Sequence, residues 1–340
     1  IKSGDWVDYT SSLGKPVLLD RALAKRRDEL YDVKIRGNLI SGPIEVAECD
    51  ESQEHFIYHT WHCSAYERKL CDRGLCYFIP MVFHNNAAYY KYFLNVNVVM
   101  VSVAPMDRHG YFNYSVNTGV AAPIAQNADI VIVEVNEYMP KIHGGYDECV
   151  HISEVDYIVE GKHEPFPASP RYEPTEVDRQ IASNLLPYIC DGATLQLGVG
   201  SMPNALGEIL AESDLKDLGM HTELCTDAFL HLYRAGKLTN KRKTIDKGKV
   251  SSASPSAARI CTNGWTTIPV WRRIRWSMST VPMSLRKLTI WYPSIVVWRW
   301  TFTDRYLRRA LVPGRSAGPA DSWISSLEPL PPKAAKRLSA

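Results

Sequence analysis

Short runs of apolar residues, rich in β-branched side chains, recur along the first half of the chain. They occupy residues 33–37, 96–103 and 130–135, and their length and composition are typical of strands that are buried on both faces of a sheet. Segments between them space their apolar residues as helices do, for example around residues 19–30. This alternation predicts an α/β sheet.

A proline-rich stretch then divides the chain. Residues 161–170 contain three prolines, a further proline follows at position 174, and this composition indicates an extended linker. A helix predicted over residues 175–190, with Val177, Ile181 and Leu185 on one face, opens a second domain. Because the chain has 340 residues and 45% hydrophobic content, two domains are the natural expectation. We therefore predict domains over residues 1–160 and 175–250, joined by a linker over residues 161–174.

The second domain holds a strand, a glycine turn and the start of a helix. Residues 194–197 alternate β-prone residues and stop at Gly198, Gly200 lets a ligand approach the backbone, and Pro203 fits the first turn of a helix. The free N–H groups at such a helix start can hold a pyrophosphate or stabilise an oxyanion. The pattern is Gly-x-Gly-x-x-Pro, not the dinucleotide-binding Gly-x-Gly-x-x-Gly, so alone it is equally compatible with a purely structural turn. The apolar stripe of the helix comprises Ala205, Leu206, Ile209 and Leu210.

A second strand and helix follow, with Glu223 near the end of the predicted strand. Asp227 is placed to cap the next helix, which stops at Gly236. Successive βα units of one sheet bring the carboxyl ends of their strands together, so Glu223 can face the turn at residues 198–203 across a crevice. A glutamate at a strand end is usually only solvated. One that faces an anion-binding turn is a candidate nucleophile or base.

These two motifs and five further segments resemble the acetyl-CoA hydrolase/transferase family, within the family I CoA-transferases. Residues 1–250 match with compatible spacing, and the similarity is greatest to the butyryl-CoA:acetate and 4-hydroxybutyrate CoA-transferases of that family. The resemblance implies two NagB/RpiA-like open α/β domains, the second of them incomplete here. The further segments are IKSGDWV (1–7), VAPMDRHGYF (103–112), IVIVEVNE (130–137), HISEVD (151–156) and TIDKGK (244–249).

The resemblance also implies a reaction and its residues. Glu223, in the His-Thr-Glu motif, is the expected catalytic residue, and the expected CoA-binding residues are Gly198, Val199, Gly200, Ser201 and Met202. The reaction is a ping-pong transfer through an acyl-glutamyl anhydride and a glutamyl-CoA thioester. Acyl-CoA and short-chain acids such as acetate and butyrate are the expected partners, in a homo-oligomer without a tightly bound cofactor. A hydrolase of the same family, with water as acceptor, remains open.

Cysteine and hydropathy patterns narrow the remaining chemistry. None of the eight cysteines forms a C-x-x-C pair, and the spacing of His62, Cys63, Cys71 and Cys76 suits no common zinc pattern. We therefore expect reduced thiols in a cytoplasm and no metal site. No run of about 18 apolar residues exists, which predicts no membrane span. His109, in the polar turn at residues 106–112, is expected to be a surface hydrogen-bonding residue and not a general base.

The composition changes after Val250. Residues 251–340 carry 14 Lys and Arg against 3 Asp and Glu and hold seven of the nine tryptophans, whereas residues 1–250 carry 25 basic and 34 acidic residues. A basic aromatic arm that binds polyanions is one interpretation. We prefer out-of-frame translation, because residues 265–269, 298–305 and 315–323 give strings like those of the family when shifted by one base. We thus predict an irregular tail, no nucleic-acid partner and, as an alternative to the enzyme, an inactive product.

Overall fold

A computed structural model describes residues 1–81, 83–118, 120–142, 147–166, 172–255, 271–273 and 291–292. Within them the chain forms two compact units, one over residues 1–142 and 147–166 and one from residue 172 onward. Each unit contains a sheet of parallel strands with helices between them. The predicted α/β fold class is therefore confirmed. The first unit extends to Phe166, inside the segment that the sequence assigns to the linker.

The first unit is built on a seven-stranded sheet of order β4-β3-β2-β1-β5-β7-β9, in which every neighbouring pair is parallel. A separate antiparallel pair, β6 and β8, lies outside it. Its strands are β1 (Trp6–Ser11), β2 (Val33–Asn38), β3 (Phe56–Thr60), β4 (Tyr77–Phe78), β5 (Val96–Val103), β6 (Tyr111–Asn113), β7 (Ala128–Val135), β8 (Cys149–His151) and β9 (Tyr157–Glu160). Its helices are α1 (Val17–Ala24), α2 (Glu45–Glu48), α3 (Ala65–Asp72), α4 (Asn86–Tyr92) and α5 (Ala121–Ala125).

Both faces of this sheet are buried, as the continuous apolar runs predict. In β5, Val98 and Met100 belong to one core cluster and Val99 and Val101 to another, because successive side chains point to opposite faces. The bounds predicted for β5 are confirmed. β2 ends one residue later than predicted, at Asn38, and β7 begins two residues earlier, at Ala128. The helix expected over residues 19–30 ends at Ala24, because the charged run KRRD at 25–28 offers no apolar side chain to the core.

The second unit contains a five-stranded sheet of order β13-β12-β11-β10-β14, with all pairs parallel. The strands β12, β13 and β14 lie at or beyond Val250, where the sequence predicts an irregular tail. The other residues of that tail lie outside the described part of the chain. The elements are α6 (Glu176–Leu185), β10 (Thr194–Leu195), α7 (Ser201–Glu212), β11 (Gly219–Cys225), α8 (Asp227–Arg234), β12 (Val250–Pro255), β13 (Trp271–Arg273) and β14 (Trp291–Tyr292).

The helix that opens this unit is shorter than expected. α6 ends at Leu185, and a single 3-10 turn follows over Leu186–Tyr188, because Pro187 has no N–H to donate to the carbonyl one turn before it. Val177, in the first turn of α6, is 63% exposed. The helix instead packs on the core through Ala182 and Leu185, one to two turns further along.

Candidate active site

The glycine turn lies where the sequence predicts it. β10 pairs with β11 and β14 only over Thr194–Leu195, so the strand is two residues shorter than expected. Gly200 has a φ of +143°, which L side chains rarely adopt, and it forms the N-cap of α7. Helix α7 begins at Ser201, so Pro203 lies in its first turn. The chain therefore leaves the sheet and presents the start of a helix, as a strand-turn-helix anion site requires.

The five predicted CoA-binding residues differ in their exposure to solvent. Val199 is exposed, Gly198, Gly200 and Ser201 are half-buried, and Met202 is only 4% exposed. Met202 therefore offers little of its surface to a ligand.

The turn is anchored to the helix before it. Burial raises the pKa of Asp178 in α6, but hydrogen bonds from Thr175 and Ser201 outweigh it and leave that pKa lowered. Asn204 donates from Nδ2 to the carbonyl of Tyr172 at 3.1 Å. These contacts fix the first turn of α7 to residues that precede it in the chain.

Glu223 lies on β11, the strand next to β10, and the glycine turn follows β10. The last pairs between the two strands are Thr194 with Gly219 and Leu195 with Met220, so Gly198 and Glu223 each lie three residues beyond the last pair. The Glu223 side chain is half-buried and lies two residues before the strand ends at Cys225. The structure thus brings the two sequence motifs together at the carboxyl ends of adjacent parallel strands, where ligands bind in open α/β sheets.

His221 is a site residue that the sequence reasoning did not single out. It lies two residues before Glu223, hence on the same face of β11, and its side chain is completely buried. Neither ring nitrogen has a hydrogen-bond partner within the described part of the chain. Burial and the nearby Lys243 lower the pKa of His221 to about 4, so the ring is neutral at physiological pH. The strand alternation in the His-Thr-Glu motif was the available signal.

Lys243 anchors the TIDKGK segment, residues 244–249, that directly follows it. Its Nζ donates to the carbonyls of Met220 and Lys249, each at 2.7 Å, and to Ser251 Oγ at 2.9 Å. Ser251 in turn donates to Asp246 Oδ2 at 3.1 Å. These bonds join β11 and β12 to the connection between them, and so support the strand that carries Glu223.

One prediction for the end of β11 is wrong. Asp227 does not cap α8, because Thr226 holds the N-cap position and Asp227 is the first helical residue. Cys225, the last residue of β11, is buried in the core cluster of this unit, as is common for a free cysteine.

The first unit contains His109 and the cysteine group that the sequence analysis considered. His109 is exposed on its turn, where its backbone N–H donates to Asp107 Oδ1 at 2.8 Å. Cys63 and Cys71 bring their sulfurs within 3.9 Å, yet the described residues include no group of three or more ligands placed to hold a metal. Among the same residues, no helix is long and apolar enough to span a membrane.

Comparisons with known proteins find similar sequences over most of this chain. The model of the acetyl-CoA hydrolase/transferase N-terminal domain matches residues 1–170. A butyryl-CoA:acetate CoA-transferase from Anaerostipes caccae is 45% identical over 252 residues, which are 73% of this chain and 56% of that protein. A 4-hydroxybutyrate coenzyme A transferase from Clostridium kluyveri is 32% identical over 251 residues, 74% of this chain and 57% of its own length.

A solved structure also has a similar fold over most of this chain. The crystal structure of RipA from Yersinia pestis superimposes with a TM-score of 0.77 at 28% identity, over 86% of this chain and 69% of that one. The chain spans little more than half the length of the curated relatives that it matches.

Proposed function

Because this chain belongs to the acetyl-CoA hydrolase/transferase family, we propose that it acts as an acyl-CoA:carboxylate CoA-transferase of the butyryl-CoA:acetate or 4-hydroxybutyryl-CoA:acetate type. The observation that carries the proposal is that Glu223 lies near the end of β11, the strand adjacent to β10, which leads into the Gly198 and Gly200 turn. A half-buried carboxylate there is accessible to a thioester, and the start of α7 supplies N–H donors.

In this proposal Glu223 is the nucleophile. Its carboxylate attacks the acyl-CoA thioester, the C–S bond breaks, and an acyl-glutamyl anhydride and CoA thiolate form. The thiolate attacks the glutamyl carbonyl, which releases the first acid and leaves a glutamyl-CoA thioester. The acceptor carboxylate repeats these two steps in reverse order. CoA enters and leaves as part of the substrates, and no tightly bound cofactor takes part.

The surroundings of Glu223 suit this chemistry. Donor and acceptor acids are both carboxylates, so a carboxylate nucleophile keeps the exchange nearly thermoneutral. Each tetrahedral intermediate places negative charge on an oxygen, and one well-placed N–H donor at the turn lowers such a barrier by about 3 kcal/mol. The neutral His221 adds no cation to this face, so it forms no ion pair that would make the carboxylate a weaker nucleophile.

The exchange of CoA between butyryl-CoA and acetate tests the proposal. We expect the chain to form acetyl-CoA only when acetate is present, and we expect Glu223→Ala to abolish it. Glu212→Ala is the matched control, because Glu212 is an exposed carboxylate at the far end of α7 and should tolerate the change. Near-normal turnover in Glu223→Ala contradicts the assignment. Butyrate release without acetate indicates the hydrolase instead.

The tail supplies a second test of the same proposal. If the sequence after Val250 results from a single-base slip, a protein translated with the reading frame restored at that point should transfer CoA at a rate well above that of the present chain. A source gene that lacks an alternative frame after Val250 contradicts the slip. The same rate from both versions shows that the tail does not limit the activity.

A further inference from the structure

A pocket of about 440 Å³ lies in the first unit, between α4 and the sheet, and nothing so far assigns it a role. Four aromatic side chains line it, those of Trp6, Trp61, Tyr89 and Phe93, together with the aliphatic residues 79–81. Small-molecule sites are typically concave and apolar, with few polar groups that fix orientation. This pocket has that composition, and no lining residue belongs to the unit that carries Glu223.

Arg36 supplies the polar group. Its residue is 2% exposed, its Nε donates to Asp8 Oδ1 at 2.9 Å, and its Nη2 donates to Asp8 and to the carbonyl of Asn95. Nη1 makes no hydrogen bond to any residue that the structure describes, and Arg36 is one of the lining residues. A buried guanidinium therefore keeps one amino group available to an occupant of the pocket.

The guanidinium is held in place on both sides. Its central carbon lies 4.6 Å from the ring centroid of Trp6 and 5.5 Å from that of Tyr90. Tyr90 donates its hydroxyl to Asp8 Oδ1 at 2.6 Å and accepts from Trp61 Nε1 at 3.1 Å. Because these contacts fix the plane of the guanidinium, the two N–H groups of Nη1, which bond no residue that the structure describes, have a fixed direction.

We propose that this pocket binds a small aromatic carboxylate, with the ring among Trp6, Trp61 and Phe93 and one carboxylate oxygen accepting from Arg36 Nη1. Flat walls favour a flat ligand, since aromatic pairs gain beyond the area that they bury. Charge-assisted hydrogen bonds from a guanidinium are stronger with a carboxylate than with a neutral acceptor. Asp8 already balances the charge of Arg36, so the hydrogen bond and the ring contacts set the affinity.

Binding of benzoate to the full chain tests the proposal. Saturation-transfer NMR detects the binding, and titration calorimetry measures its affinity. Phe93→Ala removes one wall, and because Phe93 is 77% exposed the fold should tolerate the change. We expect benzoate binding to weaken by roughly five- to tenfold, the scale of one aromatic contact. Tyr92→Ala is the matched control, since Tyr92 is its neighbour, is 66% exposed and does not line the pocket.

Two further measurements separate this pocket from the proposed transfer site. Glu223→Ala should leave benzoate binding unchanged, whereas binding at the acid-exchange site would be lost or altered. Benzyl alcohol, which has the ring without the carboxylate, should bind more weakly than benzoate. Equal affinity in Phe93→Ala and the parent chain, or no saturable binding at millimolar benzoate, overturns the proposal. Neither result bears on CoA transfer, which is assayed separately.

Discussion

The buried carboxylates of the first unit differ from the carboxylate on β11 in the second unit. Asp8 forms an ion pair with Arg36, Asp20 pairs with Lys15 at 2.6 Å, and Glu134 accepts two backbone N–H groups at 2.9 Å each. Glu223 is instead half-buried near the end of β11. A fully buried, ion-paired carboxylate stabilises a fold, whereas a nucleophile must be exposed enough to meet its substrate.

Removal of a partner from the first unit should have the largest effect on stability. Asp8→Ala leaves the Arg36 charge buried without its carboxylate, and we expect a loss of roughly 3–5 kcal/mol in the free energy of unfolding. Urea denaturation, monitored by circular dichroism, measures it. Asp28→Ala is the control, because Asp28 forms an exposed pair with Arg27 and its loss should leave the midpoint nearly unchanged. Equal midpoints for the two variants would contradict the contrast.

A shorter side chain at the site should have the opposite profile. Glu223→Asp keeps the charge but withdraws the carboxylate by one methylene, and a displacement of about 1 Å can cost on the order of 100-fold in rate. We expect that loss in kcat/KM with an almost unchanged urea midpoint, because the side chain is only half-buried. Parallel kinetics and denaturation decide it. If stability falls and the rate does not, Glu223 belongs with the structural carboxylates.

His62 in the first unit and His221 in the second should make stability depend on pH. Burial lowers the pKa of His62, with help from Arg68, and the pKa of His221, with help from Lys243, in both cases to about 4. In the unfolded chain these histidines bind a proton near pH 6.5. Their contribution to the free energy of unfolding is therefore complete above pH 6.5 and is lost as the pH falls toward 4. The slope is roughly 1 kcal/mol per pH unit for each histidine.

Hydrogen exchange as a function of pH separates the two histidines. His221→Gln should flatten the pH dependence for amides of β11, and His62→Gln should flatten it for amides of β3. If His221→Gln leaves the acid sensitivity of β11 unchanged, the ring is not buried in its neutral form.

A change in helix packing should have the smallest effect. A Cβ added to Gly207 in α7 would lie 2.6 Å from Ala228 Cβ and 2.7 Å from its Cα in α8, so the two helices must separate. We expect Gly207→Ala to cost about 1–2 kcal/mol, since overpacking exceeds the gain in helix propensity. Thermal unfolding measures it, with Glu208→Ala in the same helix as control. A stabilised Gly207→Ala variant would show that α7 and α8 are not in close contact.

Local patterns predicted the elements better than the contacts between them. The sequence gives the full extent of β5 and the turn before α7, because strand alternation and glycine chemistry act over a few residues. It does not show that Asp8 meets Arg36, or that Trp6 and Phe93 line one pocket, because such contacts depend on the strand order. The burial of His221 likewise depends on β12, which pairs with β11 through Ser251.

The most direct test of the central claim is to trap the intermediate on Glu223. The chain is incubated with butyryl-CoA, reduced with borohydride, digested and analysed by mass spectrometry. If Glu223 forms the thioester, we expect its carboxyl group to be converted to the corresponding alcohol, and only after exposure to the acyl-CoA. CoA transfer that proceeds while Glu223 stays unmodified, or a label on a different residue, would contradict it.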